Sequence, residues 1–184
     1  IYWAKIEDIT ESADQGKGTF YKYFDSKEAI ICALLKEGLD ELTAKTEQAV
    51  QKVPRGPKTL SAAIEARVDF FLDFPEYLLF FHQVRSMMQL QVEVAKELRT
   101  LYDAHLDRLA RLVKPAASAG HPGGARTIAT ALAAYTSGLL TYDIVFEGQE
   151  SARRRRQDFV DVLDRSLRPL LKTGNGFRRG TDDI

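Results

Sequence analysis

The 184-residue sequence has one cysteine, one tryptophan and two methionines, and its 26 basic side chains are matched by 26 acidic ones. A single cysteine, Cys32, excludes an intrachain disulfide and a metal site built from several cysteines. Because Cys32 lies in the apolar run 30–34, we interpret it as a small buried hydrophobic side chain. No uninterrupted apolar run approaches the roughly 20 residues of a membrane span, and no leader pattern opens the sequence. These absences predict a soluble cytoplasmic protein without a membrane partner.

Patterns that carry catalysis or hold metals are also lacking. The three histidines, His82, His105 and His121, are scattered and lack the spacing of a metal or catalytic cluster. No serine lies in a Gly-x-Ser-x-Gly elbow. Residues 16–19, Gly-Lys-Gly-Thr, do not form a nucleotide-binding loop, because that motif needs serine or threonine directly after Gly-Lys. The sequence therefore predicts a protein that is not an enzyme and holds neither a metal nor a cofactor.

The distribution of charge limits how the chain can contact nucleic acid. Residues 1–53 carry seven lysines against ten acidic side chains, a net charge of −3. Residues 16–24, however, contain Lys17 and Lys22 and no acidic residue. A DNA contact must therefore be a local basic face and not a basic domain.

Helical periodicity dominates the sequence, which predicts an all-α fold. Either Asp25 with Glu28 or Ser26 alone caps the third helix, and Pro54 and Pro57 end it. The fourth helix begins at Thr59 or Ser61. Residues 115–124 form a loop of small residues, and the tail from Thr173 frays. The expected helices cover residues 6–13, 17–24, 26–53, 59–73, 76–86, 92–113, 125–146 and 151–171.

The first two helices, separated by a turn at residues 14–16, form a helix-turn-helix pattern. The pattern resembles the DNA-binding signature of the TetR family over residues 1–46. The matching runs are Ile6-Glu7-Asp8-Ile9, Gly16-Lys17-Gly18-Thr19-Phe20-Tyr21-Lys22-Tyr23-Phe24 and Ser26-Lys27-Glu28-Ala29.

The resemblance implies a DNA-binding domain at 1–46 and an effector-binding and dimerisation domain at 47–184. Small residues at Gly18 and Thr19 let the second helix approach base edges in a major groove about 12 Å wide. In the family, the residues that match Tyr21 and Lys27 touch DNA phosphates, and aromatic residues such as Phe20 pack beneath the helix. The expected DNA-binding residues are Lys17, Gly18, Thr19, Tyr21, Lys22 and Lys27.

The sequence departs from the family pattern at three places. Ala4 lies where a serine or threonine cap is usual, and Gln15 lies where the turn is usually apolar. The first family helix has no room before Ile6, so either the true N-terminus is longer or the DNA-binding unit is incomplete, and Tyr2 and Trp3 then lack their packing partner. The alternative is an all-α ligand-binding or interaction protein that does not bind DNA in this form.

An aromatic cluster at residues 70–81 has two interpretations. Core packing explains any one of its residues, but in the resembling family the helices after the DNA-binding unit enclose an effector pocket. We expect a cavity of about 300 Å³ or more that takes an apolar or aromatic small molecule. The expected lining residues are Phe71, Phe74, Phe81, Arg85, Met88, Tyr102, His105, Tyr135 and Tyr142.

The last two expected helices have apolar positions on more than one face, which favours a second subunit over intramolecular core alone. The basic run Arg153–Arg156 is interpreted as a solvated face. By resemblance, the protein is a homodimer that binds a palindromic DNA operator, and its effector releases it as a repressor. The expected interface residues are Ala134, Gly138, Thr141, Val160, Leu163, Leu167 and Leu170.

Overall fold

All secondary structure in the described part of the chain is helical, which confirms the all-α prediction. The computed structural model describes residues 4–90, 92–116 and 124–172. Tyr2, Trp3, His121 and the tail from Thr173 lie outside the described residues. The helices are α1 (Ile6–Ser12), α2 (Lys17–Tyr23), α3 (Lys27–Gln51), α4 (Pro57–Asp73), α5 (Pro75–Leu90), α6 (Val92–Val113), a 3₁₀ turn (Lys114–Ala116), α7 (Gly124–Glu147), α8 (Gln149–Arg154), α9 (Arg156–Leu167) and α10 (Pro169–Lys172).

The observed bounds differ from the expected ones at several places, and α5, expected over 76–86, covers Pro75–Leu90. The prediction that the fourth helix begins at Thr59 or Ser61 was wrong, because α4 begins at Pro57. Proline suits the first helical position, where its missing N–H has no partner to lose. The single helix expected over 151–171 is three helices, with breaks at Arg155 and Arg168. Pro169 explains the second break, since its nitrogen has no hydrogen to donate to the preceding turn.

The helix-turn-helix is ordered by local hydrogen bonds. The Asp8 carboxylate accepts from the Lys5 N–H at 2.9 Å and so caps the start of α1. After α1, the Asp14 N–H donates to the Glu11 carbonyl at 3.0 Å and the Gln15 N–H donates to the Thr10 carbonyl at 2.8 Å. This pair of bonds is a Schellman motif, which places Asp14 in the left-handed region with φ +51°. The turn is therefore tight although Gln15 is polar.

Asp14 is the position where this turn is most sensitive to substitution. Asp14→Gly is expected to stabilise the helix-turn-helix by about 0.5–1 kcal/mol, because glycine adopts a positive φ without a steric cost. Asp14→Val is expected to destabilise it, because a β-branched side chain is strained there. Amide hydrogen exchange of α1 and α2 measures both effects. Equal protection in the two variants would show that Asp14 does not control the turn.

The long helix α3 connects the helix-turn-helix to the rest of the molecule. The Ala29 N–H donates to the Ser26 hydroxyl at 3.1 Å, so of the two caps considered, Ser26 is the one observed. At 25 residues, α3 is about 37 Å long. Its buried face carries Leu35, Leu39 and Leu42 into the core. This helix therefore extends from the end of the helix-turn-helix into the core.

Helix α4 lies at the centre of the second part of the chain and packs against α3, α7 and α9. Leu60, Ile64 and Val68 on this helix are fully buried. Cys32 of α3 is also buried, as predicted, and burial raises the pKa of its thiol to about 11. Cys32 is therefore a protonated core side chain at neutral pH.

The basic run Arg153–Arg156 is not only a solvated face, which corrects the interpretation from sequence. The Arg156 guanidinium donates to the two Asp69 carboxylate oxygens of α4 at 2.5 and 2.8 Å. Arg155 forms an ion pair with the buried Asp143 of α7. The run ties the last helices to α4 and α7, since those helices carry carboxylates at matching positions.

Helix α7 is long and apolar enough to cross a membrane by length and composition alone, a property that the search for uninterrupted apolar runs missed. Core helices meet the same criterion, so this is weak support for a membrane span. The reason here is that α7 has two apolar faces. Ile128, Leu132 and Leu140 are buried in the core, while Tyr142 and Phe146 are exposed on the other side.

Candidate DNA-binding surface, effector cavity and subunit face

The exposed face of α2 contains most of the residues predicted to bind DNA. Lys17, Gly18, Tyr21 and Lys22 are exposed and Thr19 is half-buried. A Cβ added at Gly18 would meet no atom within 4 Å, so packing inside the chain does not require glycine there. Packing among the described residues therefore does not explain the small residue at this position.

Phe20 lies on the opposite side of α2, where it is buried as predicted. Its ring centroid is 5.7 Å from that of Phe24, which closes the underside of the helix-turn-helix. Packing of this side leaves the lysine-bearing side to solvent.

Two of the predicted phosphate and base contacts have partners within the chain. Lys17 forms an ion pair with Glu7 of α1, and this bond lowers the pKa of the Glu7 carboxyl. Both side chains are more than half exposed, so the pair is weak and does not bury the Lys17 ammonium. The Lys27 ammonium donates to the Ala4 carbonyl at 3.2 Å. Lys27 thus anchors the segment before α1 to the start of α3.

A cavity of about 250 Å³ lies where α3, α4, α5, α6 and α7 meet. Its size falls slightly short of the expected 300 Å³, but the region is not packed solid. The walls are mostly apolar, which agrees with the kind of site expected. The residues around it are Leu39, Leu42, Arg67, Phe71, Phe81, Arg85, Met88, Tyr102, His105, Leu106, Thr130, Ala133, Ala134 and Ser137.

Six of the nine residues predicted to bind the effector line this cavity, and three do not. Phe74 lies instead under the Lys45 ammonium, 4.5 Å from its ring centroid. Tyr135 and Tyr142 are exposed on the outer side of α7. The placement of these three in the cavity is corrected. Helical spacing does not show which face of α7 points inward, and Phe74 is the residue directly after the end of α4. The six that line the cavity are Phe71, Phe81, Arg85, Met88, Tyr102 and His105.

His105 is part of a polar chain in the wall of the cavity. It is 5% exposed, and its Nδ1 lies 2.8 Å from the Thr43 hydroxyl oxygen. The Thr43 hydroxyl itself donates to the Leu39 carbonyl at 2.7 Å. The Arg67 guanidinium lies 3.4 Å from His105 Nε2 and can only donate, which assigns the ring proton to Nδ1. Burial, followed by repulsion from Arg67, lowers the pKa of His105 to about 3.

Arg67 is the cavity residue that the sequence analysis missed. It is 2% exposed, and its Nε has no hydrogen-bond partner among the described residues. Burial, followed by repulsion from Arg85, lowers the pKa of Arg67 to about 9, so it is still charged at neutral pH. A signal was present in the sequence: Arg67 occupies an inward position of the stripe that contains Ile64, Val68 and Phe71.

Arg85 supplies a second guanidinium to the same cavity. It donates to the Ser137 hydroxyl at 3.1 Å and to the Phe81 carbonyl at 3.3 Å, which holds it between α5 and α7. The Tyr102 hydroxyl donates to the same Phe81 carbonyl at 3.0 Å, and burial raises the pKa of Tyr102. No carboxylate in the described ranges forms an ion pair with Arg67 or Arg85.

An apolar face on α7 and α9 remains open to solvent. Tyr142 and Phe146 are 66% and 68% exposed, and their ring centroids are 4.5 Å apart. Tyr135 and Val162 are also exposed, and a groove lined by Gly138, Leu139 and Ser166 among others runs beside them. Large exposed apolar patches on one face mark an interaction surface. We call the set Tyr135, Gly138, Tyr142, Phe146 and Val162 the α7–α9 face.

Three residues predicted for the dimer interface belong to the core of the single chain. Val160, Leu163 and Leu167 are buried against α4 and α7, which corrects the expectation that one subunit cannot cover this stripe. The stripe is covered within one subunit because α4 packs alongside α9. Of the other predicted interface residues, Ala134 and Gly138 lie by the open groove, while Thr141 and Leu170 are half-buried.

Comparison with known proteins agrees with this architecture. Residues 4–34 match the family model of the bacterial regulatory proteins, tetR family. Over 112 residues the chain is 31% identical to the HTH-type transcriptional activator FasR of Mycolicibacterium smegmatis, covering 59% of this chain and 50% of FasR. The chain thus spans about half the length of this curated relative.

The fold as a whole resembles a solved regulator. The crystal structure of the transcriptional regulator FadR from Bacillus subtilis, in complex with stearoyl-CoA, superposes with a TM-score of 0.71 over 88% of each chain. Sequence identity in that comparison is 14%, so it shows a shared fold.

Proposed function

We propose that the chain, whose residues 4–34 match the tetR family of bacterial regulatory proteins, is a ligand-responsive, dimeric DNA-binding regulator of that family. The observation that carries the proposal is that α3 connects the helix-turn-helix to the cavity. This helix begins beside the helix-turn-helix at Lys27 and lines the cavity with Leu39 and Leu42. A ligand that fills the cavity therefore pushes on the helix that carries the DNA-binding unit.

The proposed response is a shift between two positions of α3. A ligand shifts such an equilibrium only if it binds one position better than the other. The cavity wall has groups that sense the position of α3, because Thr43 of α3 is bonded to His105 of α6. A change in the spacing between the two recognition helices of a dimer then changes the affinity for a palindromic operator.

The second copy needed for a palindromic operator is proposed to pack on the α7–α9 face. A two-fold axis beside Gly138 brings this face against itself, which buries the exposed rings of Tyr142 and Phe146 in both subunits. The direction of regulation is separate from this geometry. The sequence predicted a repressor and one relative is named an activator, and the DNA contacts proposed here do not depend on which of the two this chain is.

Removing the Lys27 ammonium tests the proposed contact with DNA. Lys27→Ala is expected to weaken binding to all duplexes alike, and to lower the slope of log K against log salt by about one for each half-site. Tyr21→Phe, which removes only a hydroxyl, is expected to weaken binding without changing that slope. Fluorescence anisotropy with a selected palindrome and a random duplex, at several salt concentrations, measures both effects.

The matched control is Lys36→Ala, because Lys36 is an exposed lysine of the same helix and pairs with Asp40. It is expected to leave the salt slope unchanged. A changed sequence preference with an unchanged slope in Lys27→Ala would show that Lys27 reads a base. If the unmodified chain binds neither duplex, the alternative of a ligand-binding protein that does not contact DNA is correct.

A further inference from the structure

The cavity contains two cationic side chains and no acidic one within ion-pairing distance in the described ranges. Arg67 of α4 and Arg85 of α5 both line it, between the apolar side chains of Phe71, Phe81 and Met88. A buried charge is unfavourable unless it is paired and hydrogen-bonded. A buried Arg67 beside a half-buried Arg85, without an acidic partner among the described residues, is therefore a feature that core packing does not explain.

The guanidinium of Arg67 also makes few hydrogen bonds with the described residues. Its Nη1 has only a long contact of 3.4 Å to His105, and its buried Nε has no acceptor among the described residues. The neighbouring polar groups are already engaged: Thr43 with Leu39 and His105, and Tyr102 with Phe81. Arg67 thus lines the cavity with a guanidinium whose Nε donor is unused among the described residues.

We propose that the effector is a small organic anion, whose single acidic group binds Arg67 and Arg85 while its apolar body fills the cavity. A guanidinium binds a carboxylate through parallel N–H···O bonds, which are stronger than bonds to a neutral group. The apolar walls favour a ligand with an apolar body, and the volume of about 250 Å³ limits the length of that body. This inference rests on the proposed effector site and adds the charge of its ligand.

The proposal sets Arg67 apart from an ordinary core residue. Because its charge has no acidic partner among the described residues, replacing it by an apolar side chain of similar length is expected to stabilise the fold. The same replacement removes the binding of the anion. If Arg67 served only packing, its replacement would destabilise the fold and would leave the binding of the anion unchanged.

The test compares acids with their neutral amides on the full chain. Octanoate and 4-phenylbutyrate, with octanamide and 4-phenylbutyramide as neutral partners, are titrated by calorimetry and by thermal shift at neutral pH. Each acid is expected to raise the melting temperature and to bind at least about tenfold more tightly than its amide, since charged hydrogen bonds exceed neutral ones. Equal affinities for acid and amide would overturn the proposal.

Three variants test whether the preference for acids over amides depends on Arg67 and Arg85. Arg67→Met is expected to raise the melting temperature of the free protein and to abolish the preference for acids. Arg85→Gln, at a half-buried position, is expected to reduce that preference about tenfold. Arg111→Gln is the matched control, because Arg111 is an exposed arginine of α6 away from the cavity. If Arg67→Met does not fold, a full preference for acids in Arg85→Gln overturns the proposal.

A further titration tests whether the acidic group is the ligand's own carboxylate or a phosphate of coenzyme A. Octanoyl-CoA has the same chain, but its acyl group is a neutral thioester and its charges lie on the nucleotide. Binding of octanoyl-CoA without binding of octanoate would overturn the proposal. Operator binding is measured separately: acid binding without DNA binding contradicts only the regulator, and DNA binding without acid binding contradicts only the anion site.

Discussion

The double variant Tyr142→Glu, Phe146→Glu is expected to sediment as a monomer of 20.7 kDa and to lose operator binding, whereas the unmodified chain sediments as a dimer. Both side chains lie exposed on the α7–α9 face, so in a symmetric dimer four like charges would meet where four rings pack. A stable interface of this kind buries more than about 1,000 Å² in total, and its centre contributes most of the affinity. Analytical ultracentrifugation at micromolar concentration, with circular dichroism to confirm folding, makes the measurement.

Two controls separate loss of the dimer from loss of the fold. Leu79→Glu places a charge on an exposed apolar side chain of α5, away from the α7–α9 face, and is expected to leave the dimer intact. Leu163→Glu places a charge in the core. This variant is expected to unfold the subunit, because an unpaired buried charge is not tolerated. A monomeric unmodified chain at micromolar concentration would contradict the dimer and the palindromic-operator model together.

His105→Asn is expected to remove a large part of the sensitivity of the protein to acid. Burial holds the pKa of His105 at about 3, far below the ordinary value of 6.5. The unfolded chain binds a proton below about pH 6.5 and the folded chain does not, so the free energy of unfolding falls as the pH falls between those values. Between pH 7 and pH 5 this single group accounts for a loss of about 2 kcal/mol.

The charged groups that face His105 act in the same direction or are already paired. Arg67 of α4 and Arg108 of α6 disfavour its protonation, and Asp40 of α3 favours it but is paired with Lys36 and Arg108. Urea unfolding at a series of pH values compares the unmodified chain, His105→Asn and the control His82→Asn, at an exposed histidine. Parallel curves for the unmodified chain and His105→Asn would contradict a neutral buried histidine.

Local order in this protein follows from the sequence by itself. The spacing of apolar residues along α6 predicted its bounds, Val92–Val113, because a 3.6-residue period is a property of neighbouring positions. The residues from Ile6 to Ala29 predicted the helix-turn-helix, since turn, cap and recognition helix follow one another directly in the chain. The capping of α3 by Ser26 also follows from the local sequence, because the Ser26 hydroxyl and the Ala29 N–H that donates to it are three residues apart.

The faces of the helices were decided by the tertiary structure. Periodicity showed that Val160, Leu163 and Leu167 share a stripe, but it did not show that α4 covers that stripe. It grouped Tyr135 and Tyr142 with the cavity residues, although α7 turns Ser137 inward and those tyrosines outward. Arg67 became significant only when α5 brought Arg85 to the same cavity. A helix specifies which of its residues lie together, whereas the helix that packs against them is set by contacts between distant parts of the chain.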